Sequence, residues 1–230
     1  VLVNKKVTGD HTTHEYITAF YAEGYPMYIC GGAIRDALYL LASNPRATQT
    51  EIAELIQDID VVTTAPPSES KRIAAQVAPE YEEGAVFSPP IVDQFGCVLV
   101  GGPKAGLEGS AGIDIVSIRG EGRAQDQVYD KDTHEKYIHS TFAHTLKADA
   151  QGRDFSCNSL FYDPVNQVII DPLGNGIADS QHLQLRVARQ KYLSDDSDTA
   201  LRFWKFRLRG YNSDGYTLNQ VKKSATKIFN

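Results

Sequence analysis

The sequence lacks the features that mark membrane and secreted proteins. No apolar run approaches the roughly 18 residues that a membrane span needs, and residues 1–16 lack the apolar core of a signal peptide. The three cysteines, Cys30, Cys97 and Cys157, are unevenly spaced and form no C-x-x-C pair. This spacing fits neither a disulfide framework nor a zinc site, so we expect buried thiols, a reducing cytoplasmic compartment and no membrane partner.

Internal repeats and low-complexity segments are also absent. The chain has 230 residues, of which 42% are hydrophobic, and this is enough to bury a core in one domain or in one domain with a short appendage. Disorder is therefore not expected. The chain begins with Val and not Met, which is compatible with a trimmed chain or with a piece of a longer protein.

Charge is distributed unevenly along the chain. The net charge of −6 argues against a nucleic-acid binder taken as a whole. Residues 186–230, however, hold ten Lys or Arg against four Asp, a local excess of +6 that leaves −12 for the rest. A basic stretch beside an acidic body suits a protein that holds a phosphate backbone at one end and metal ions at the other. An ordinary solvated helix face explains the same pattern equally well.

The stretch LIQDIDVVTTAPP, residues 55–67, carries two aspartates inside a run that otherwise predicts a buried β-strand. Side chains alternate along a strand, so Asp58 and Asp60 point the same way with their carboxylates close together. Such a pair resists ionising together unless a cation lies nearby, and hard oxygen ligands suit Mg²⁺. Taken alone, the stretch also fits a strand end where both aspartates meet water.

A strand, two glycines and a helix follow one another in PMYICGGAIRDALYLLAS, residues 26–43. Residues 28–30 predict the strand, and Ile34, Leu38 and Leu41 share one face of a helix that ends near residue 43. Paired glycines let a backbone approach closely, and unpaired N–H groups at a helix start favour an anion. This order therefore predicts a phosphate-binding turn.

The remaining sequence predicts short strands and helices. The predicted elements are a helical turn at residues 50–56, a helix at 66–78, strands at 95–100 and 112–118, a long loop with short helices at 119–151, a short helix at 152–158, a β-hairpin with its turn at 163–166, and two C-terminal helices that begin near Ser194 and Thr217. Asp114 interrupts the second of these strands, and it is another carboxylate on a strand that would otherwise be buried.

Four of these stretches, taken together and in order, resemble the head domain of class II CCA-adding enzymes and bacterial poly(A) polymerases, which are polymerase-β-like nucleotidyltransferases. They are GGAIRD at 31–36, DID at 58–60, DIVSIR at 114–119 and RDFSCN at 153–158. Asp171, Pro172 and Gly174 form a D-P-x-G stretch after the hairpin, which is similar to the family's D-P-x-x-G pattern but one residue shorter. The resemblance covers residues 27–209.

The resemblance implies an α/β fold. The implied fold is a nucleotidyltransferase head over residues 1–185, with a mixed, mainly antiparallel sheet flanked by helices. A short helical neck-like segment follows over residues 186–230. The resemblance also implies a Mg²⁺-dependent enzyme that transfers a nucleoside monophosphate from an NTP, either ATP or CTP, to the 3′ end of an RNA such as tRNA. Two Mg²⁺ ions held by three carboxylates suit this chemistry, because phosphoryl transfer needs mainly charge neutralisation and in-line positioning.

The same resemblance assigns roles residue by residue. Metal binding and catalysis fall on Asp58, Asp60 and Asp114, and Asp114, which stands where the family more often has Glu, would also act as general base. Nucleotide binding falls on Gly31, Gly32, Arg35, Arg119, Arg153, Asp154 and Asn158, with Arg35 and Asp36 bracing the helix after the glycines.

Three departures from the family pattern concern substrate choice. Gly152 stands where the family's R-R-D motif has its first arginine. The template motif E-D-x-x-R, whose Asp and Arg read the incoming base, aligns with Asp196 and, in place of the arginine, Thr199. Arg202 and Lys205, one and almost two turns further along the helix, are candidate substitutes. The chain also stops at what would be the start of the neck, so it is either a fragment or a protein that finds its RNA differently.

Two other functions remain open at this point. The same chemistry would serve a toxin or defence effector that modifies tRNA ends or labels a protein hydroxyl, and the missing template arginine would suit such an enzyme. A degenerate head domain would instead bind nucleotides without catalysis. Aspartates that bind metal on a strand are costly to keep for structure alone, which argues against the second function.

The remaining polar and aromatic residues are expected to be structural. His134, His139 and His144 lie five apart in a polar segment and are interpreted as ordinary surface histidines. Phe203 and Trp204 lie on a basic helix and are interpreted as core residues and not as a platform for a base.

Overall fold

The computed structural model is an α/β protein in which residues 2–56, 58–81, 86–87, 96–107, 109–118, 126–129, 136–139, 145–188 and 197–228 are described. Its helices are α1 (Thr13–Ala22), α2 (Gly32–Ser43), α3 (Gln49–Leu55), α4 (Pro67–Val77), α5 (Leu146–Gly152), α6 (Gly176–Gln181), α7 (Ser197–Leu208) and α8 (Gly215–Ile228). Its strands are β1 (Lys6–Thr8), β2 (His11–Thr12), β3 (Met27–Cys30), β4 (Ile59–Thr63), β5 (Val86–Phe87), β6 (Cys97–Val100), β7 (Ile113–Ser117), β8 (Asp126–Tyr129), β9 (Lys136–His139), β10 (Phe161–Asp163), β11 (Val168–Ile170), β12 (Gln184–Leu185) and β13 (Asn212–Ser213). Within these ranges no helix is both long enough and apolar enough to cross a membrane.

A seven-stranded mixed sheet organises the described part of the chain. Its strand order is β11-β10-β3-β4-β7-β6-β5. The central neighbours β4 and β7 are parallel, and the other neighbouring pairs of this sheet are antiparallel. A parallel pair needs a long crossover connection, which here contains α4. The predicted mixed, mainly antiparallel sheet flanked by helices is thus confirmed.

The two faces of this sheet are covered differently. One face packs against α1, α4 and the start of α2 through the largest apolar cluster, in which Tyr16 and Phe20 are fully buried. The opposite face carries a smaller cluster to which Val62, Phe161 and, from α5, Ala150 belong. Because side chains alternate along a strand, Asp60 lies on the same face as Val62. The sparsely covered face is therefore the one that carries the predicted carboxylates.

A third apolar cluster joins the C-terminal helices to the rest of the chain. Its buried members are Phe155, Cys157, Leu185, Val187, Ala200, Phe203, Phe206, Tyr211 and Val221. In addition, β12 pairs with β13 in parallel. This cluster takes residues from both sides of position 185. The predicted division of the chain at that position stays a prediction.

Local signals explain where two of the helices begin. Thr48 precedes α3 and forms a capping box with Glu51: the Glu51 N–H donates to the Thr48 hydroxyl, and the Thr48 N–H donates to the Glu51 carboxylate. Pro67 opens α4 at the first helical position, where its missing N–H costs nothing. Helix α2 has no such side-chain signal at its start. The residue before it is Gly31, whose φ of 73° is rare for residues other than glycine.

Most predicted elements are confirmed, with small shifts of their ends. Asp58 lies just before β4 and not within it, because the strand begins at Ile59. The long loop predicted for residues 119–151 is wrong in part, since β8 and β9 form an antiparallel hairpin there. Each of these strands has only four residues, which is too few to show a clear alternation of apolar and polar residues in the sequence.

The N-terminal segment, which contains none of the predicted motifs, completes the core. In α1, Tyr16 is fully buried. Strand β1 is tied to the loop after β6, because the N–H of Gly102 donates to the Val7 carbonyl and the N–H of Ala111 donates to the Lys6 carbonyl. The glycines of that loop allow the two segments to approach closely.

We expect Gly101→Ala to destabilise the fold strongly. Gly101 has φ +63°, and a Cβ on it would lie 1.9 Å from the carbonyl oxygen of Val7, so β1 would have to move. Gly106→Ala is the matched control, because Gly106 has φ +75° and nothing within 4 Å of the same Cβ position. Chemical unfolding should show a loss of about 1 kcal/mol for Gly106→Ala from the left-handed backbone, and about 2 kcal/mol more for Gly101→Ala from the clash. Equal losses would contradict the close approach of β1.

Candidate active site

One row of side chains crosses the seven-stranded sheet, and it changes from apolar to acidic in the middle of the sheet. In register, the row runs through Ile170, Phe161, Cys30, Asp60, Asp114 and Leu99. Partners in register point to the same face, and neighbouring strands lie about 4.8 Å apart. Asp60 is exposed although Ile59 and Val61 on either side of it are buried, and Asp114 is half-buried. An otherwise apolar row thus presents two adjacent carboxylates from the central parallel strands.

Gly31 brings the start of α2 against this carboxylate pair. It has φ 73° and ψ −136°, and a Cβ on it would lie 3.1 Å from Asp60 Oδ2 and 3.9 Å from Arg153 Nη1. A larger residue would therefore be strained and would press on the Asp60 carboxylate. N–H groups in the first turn of a helix have no acceptor within the helix. The turn accordingly offers donors for an anion directly beside carboxylates that attract a cation.

Arg153 places a positive charge next to the same row. Its Nε donates to Asp149 Oδ2 at 2.8 Å, its Nη1 to the Asn158 carbonyl at 3.3 Å, and its Nη2 to Cys30 Sγ at 3.2 Å. The guanidinium carbon lies 5.1 Å from the centre of the Phe161 ring. Burial works to lower the pKa of Arg153, but Cys30 and Asp149 outweigh this effect, so the pKa is raised. The guanidinium is held charged on the flank of the carboxylate pair.

Cys30 occupies the row as a neutral side chain and not as a nucleophile. Burial raises the pKa of its thiol to about 11, and the opposing effect of Arg153 is smaller. The thiol is therefore protonated at neutral pH. Cys30, Cys97 and Cys157 are all buried and lie outside any disulfide, which confirms the prediction of buried thiols.

Asp154 and Asn158 form the centre of a polar network. Asp154 Oδ1 accepts from the Phe155 N–H at 2.7 Å and from Asn158 Nδ2 at 2.9 Å. Asp154 Oδ2 accepts from Arg202 Nη1 at 3.1 Å, and Asn158 Oδ1 accepts from Arg35 Nη1 at 2.6 Å. Four of the residues predicted to bind a nucleotide are thus brought together, although 123 positions separate Arg35 from Asn158.

The D-P-x-G stretch at residues 171–174 shapes a loop that packs against the turn that carries Asn158. Asp171 Oδ1 accepts from the Gly174 N–H at 3.0 Å, and Oδ2 accepts from the Ile177 N–H at 3.1 Å. These bonds shape the loop that leads into α6. A Cβ at Gly176 would lie 2.6 Å from the Ser156 carbonyl oxygen, so only glycine lets α6 pack this closely against residues 156–158.

The carboxylates match the donor chemistry of a hard divalent cation. Asp60 and Asp114 supply oxygen ligands in register on adjacent strands, and the exposed Asp58 comes two positions earlier. Mg²⁺ prefers such ligands. In the part of the chain that the structure describes, no group of three His, Cys, Asp or Glu side chains is close enough to hold a metal. Binding of Mg²⁺ by Asp58, Asp60 and Asp114 therefore stays a prediction.

Helix α7 carries the residues that bear on the missing template arginine. Thr199 is buried, with 5% of it exposed, so its side chain does not face a ligand. Arg202 follows three positions later, and 66% of its side chain is exposed even though it contacts Asp154. This contact supports Arg202 as the substitute arginine. Of the two aromatic residues predicted to be core, Phe203 is fully buried, whereas Trp204 is 49% exposed.

Some predicted residues lie outside the described ranges. The predictions that fall there, or on a side chain that is not described, concern Arg119, Asp196, His134, His139 and His144.

Asp149 is a member of the site that sequence reasoning missed. It is 3% exposed and pairs with Arg153 four positions later. The sequence feature that could have identified it is the i, i+4 spacing of an acidic residue and an arginine, which places both on one helix face. It was hidden because residues 119–151 were interpreted as a loop.

Comparison with known proteins agrees with this geometry. A family model described as the poly A polymerase head domain matches residues 27–186. The chain belongs to this family. The head-domain resemblance of the four sequence motifs is thereby confirmed.

Individual members of the family extend this result. A CCA-adding enzyme from Lacticaseibacillus paracasei is 29% identical over 204 residues, which cover 89% of this chain and 41% of that relative. The chain thus spans about two fifths of the length of that relative. A CCA-adding enzyme from Thermotoga maritima, solved with tRNA, superposes with a TM-score of 0.60 at 21% identity, over 92% of this chain and 40% of the other. The Bacillus stearothermophilus CCA-adding enzyme solved with CTP gives 0.56 at 22% identity, over 89% and 40%. The head-domain fold is confirmed by these superpositions.

We expect Asp149→Asn to destabilise the protein by about 2 kcal/mol, because it leaves a largely buried guanidinium without its charged partner. The Asp149 side chain is 4% exposed and that of Arg153 is 22% exposed. Asp10→Asn is the matched control: Asp10 pairs with Lys6 at the same i, i+4 spacing, but its side chain is 95% exposed. Denaturant unfolding of both variants measures the difference. A loss for Asp149→Asn as small as that for Asp10→Asn would contradict the structural role of the Asp149–Arg153 pair.

Proposed function

We propose that this chain is the catalytic head of a Mg²⁺-dependent nucleotidyltransferase. It transfers a nucleoside monophosphate from an NTP to the 3′-hydroxyl of an RNA and releases pyrophosphate. The observation that carries the proposal is the Asp60–Asp114 pair, presented in register from the centre of the sheet with the glycine start of α2 packed against Asp60. Cation-binding and phosphate-binding groups thus meet at one point, which is what phosphoryl transfer requires.

The carboxylates have the first role in this account. Asp60 and Asp114, with Asp58 as the third member, would hold two Mg²⁺ ions. When bound, these ions neutralise charge on the phosphates and lower the pKa of the attacking hydroxyl. Asp114 accepts the proton of that hydroxyl as its oxygen bonds to the α-phosphorus. The bond from the α-phosphorus to the oxygen that bridges to the β-phosphate breaks, and pyrophosphate leaves with that electron pair.

The groups around the carboxylates hold the nucleotide. The N–H groups that follow Gly31 and Gly32 at the start of α2 bind the triphosphate, and the nearby guanidinium of Arg153 adds positive charge. Asp154 and Asn158 hold the sugar and the base, with Arg202 at the edge of the base. Arg119 and Asp196 complete the predicted nucleotide-binding set.

ATP and CTP are the proposed substrates, and tRNA is the proposed acceptor. The support comes from the relatives, which include CCA-adding enzymes solved with CTP and with tRNA. The basic residues between 186 and 230, with a local excess of +6, suit an RNA backbone. Such an enzyme works in the cytoplasm, a reducing compartment in which cysteines outside any disulfide are the rule.

The test incubates the chain with Mg²⁺, each of four labelled NTPs, and either total tRNA or an unstructured RNA. We expect label from CTP and ATP on tRNA. Asp60→Asn should lower transfer by at least about a hundredfold, because it removes a metal ligand. Asp10→Asn, a change of the same kind at an exposed surface pair, should leave transfer unchanged. EDTA should abolish the label.

Other outcomes of this experiment would contradict the proposal or indicate a different function. Full transfer by Asp60→Asn would sink the assignment of the carboxylates. Label from a single NTP on either RNA would indicate a tailing enzyme or effector, and label on protein would indicate a protein hydroxyl as acceptor. Binding of NTP without any transfer would leave a nucleotide-binding module.

A further inference from the structure

Arg35 is a charged side chain in the interior of the protein. It lies in the first turn of α2, four residues after Gly31, and 7% of it is exposed. Arginine is almost never buried unless its charge is paired and its N–H groups are satisfied. Sequence resemblance puts Arg35 among the nucleotide-binding residues, and in the structure its guanidinium donates to Asp36 and Asn158. Its protein partners therefore indicate what it does.

On one side, Arg35 contacts the elements that are proposed to hold the nucleotide. Its Nε and Nη2 donate to the two carboxylate oxygens of Asp36 at 2.7 and 2.8 Å, and its Nη1 donates to Asn158 Oδ1 at 2.6 Å. A Cβ on Gly32 would come within 3.3 Å of Arg35 Nη2. Burial works to lower the pKa of Arg35, but the hydrogen bond and the charge of Asp36, with smaller effects of neighbouring groups, together outweigh it, so the pKa is raised. Arg35 thus stays charged between Asn158 and the glycine turn.

On the other side, Arg35 contacts the C-terminal part of the chain. Its guanidinium carbon lies 4.8 Å from the centre of the Phe206 ring on α7, within the range of a cation–π contact. The same ring packs edge-on against Tyr211, with 5.0 Å between ring centres. Arg35 therefore joins the helix after the glycines to the helix that carries Arg202.

These contacts close into a ring. Arg202 and Phe206 are four positions apart on α7 and lie on one face of that helix. Phe206 rests on Arg35, and Arg202 donates to Asp154 Oδ2 at 3.1 Å. Asn158 links Arg35 to Asp154 through the two ends of its amide group. Helix α7 is thus attached to the head at two points that are themselves connected.

We infer that Arg35 is a positioning residue that sets where α7 holds Arg202, and so sets the preference of the site between ATP and CTP. The inference rests on the proposed function, which gives Arg202 a place at the base. Arg35 itself acts through Asn158 and Phe206. A guanidinium suits this role because its planar fork engages two acceptors while its face packs on an aromatic ring. A lysine in its place offers a point charge alone.

The sole tryptophan of the sequence allows a measurement that does not depend on catalysis. Trp204 lies on α7 between Arg202 and Phe206, and 49% of it is exposed. A displacement of α7 changes the surroundings of this indole ring. Its quenching by iodide therefore reports the position of the helix.

Two variants and one control test the inference. Arg35→Lys keeps the charge and removes the fork, and Phe206→Leu removes the aromatic ring and leaves the hydrogen bonds of Arg35 in place. Arg72→Lys makes the same change at an exposed arginine that pairs with Glu23 and Glu69. Dissociation constants for ATP and for CTP, iodide quenching and thermal unfolding are measured for each, and the wild-type chain is assayed for transfer alongside.

We expect both variants to change the ratio of the ATP and CTP dissociation constants by about tenfold and to change iodide quenching, while Arg72→Lys changes neither. Equal weakening of both nucleotides with unchanged quenching would overturn the inference, because a merely structural role lowers stability without changing the ratio. A wild-type chain that neither binds nor transfers nucleotides would overturn the proposed function. The quenching comparison would then still decide whether Arg35 positions α7.

Discussion

The mutual repulsion of two adjacent carboxylates is the constraint on which the rest of this structure depends. Asp60 and Asp114 lie in register on the two central parallel strands, inside a row that is apolar on either side. Because the core on the opposite face fixes these strands, the backbone positions of the two aspartates stay side by side. Two features of the surroundings accommodate this charge. Position 31 is a glycine, which leaves room beside the Asp60 carboxylate, and the guanidinium of Arg153 lies close to the same position. A cation between the carboxylates would complete the balance.

The polar network beyond the carboxylates turns local geometry into a connection between distant parts of the chain. Asp154, Asn158 and Arg35 come from two segments of the head, and Arg202 and Phe206 come from α7. Apolar packing of Phe203 and its neighbours holds α7 near the head. The network then determines the direction of an exposed arginine. Packing thus supplies the stability of the contact, and the hydrogen bonds and ion pairs of the network supply its geometry.

The sequence predicted the parts of the site that depend on local patterns. The predicted strand around Asp60 is confirmed, although it begins at Ile59 and leaves Asp58 just before it, and the Gly-Gly pair predicted the start of α2. The register between Asp60 and Asp114 follows from strand order over more than fifty positions, which no local period contains; the family resemblance was needed to bring Asp114 in. The burial of Arg35 could not be predicted from local pattern, because it depends on what α7 covers. Asp149 was missed inside a segment without clear periodicity.

The most direct test is a crystal structure of the chain with Mn²⁺ and a non-hydrolysable CTP analogue, in which anomalous scattering locates the metal. The account predicts an anomalous peak between the carboxylates of Asp60 and Asp114, with the triphosphate against the backbone that follows Gly31. A nucleotide bound elsewhere, or a metal bound without either aspartate, would contradict it.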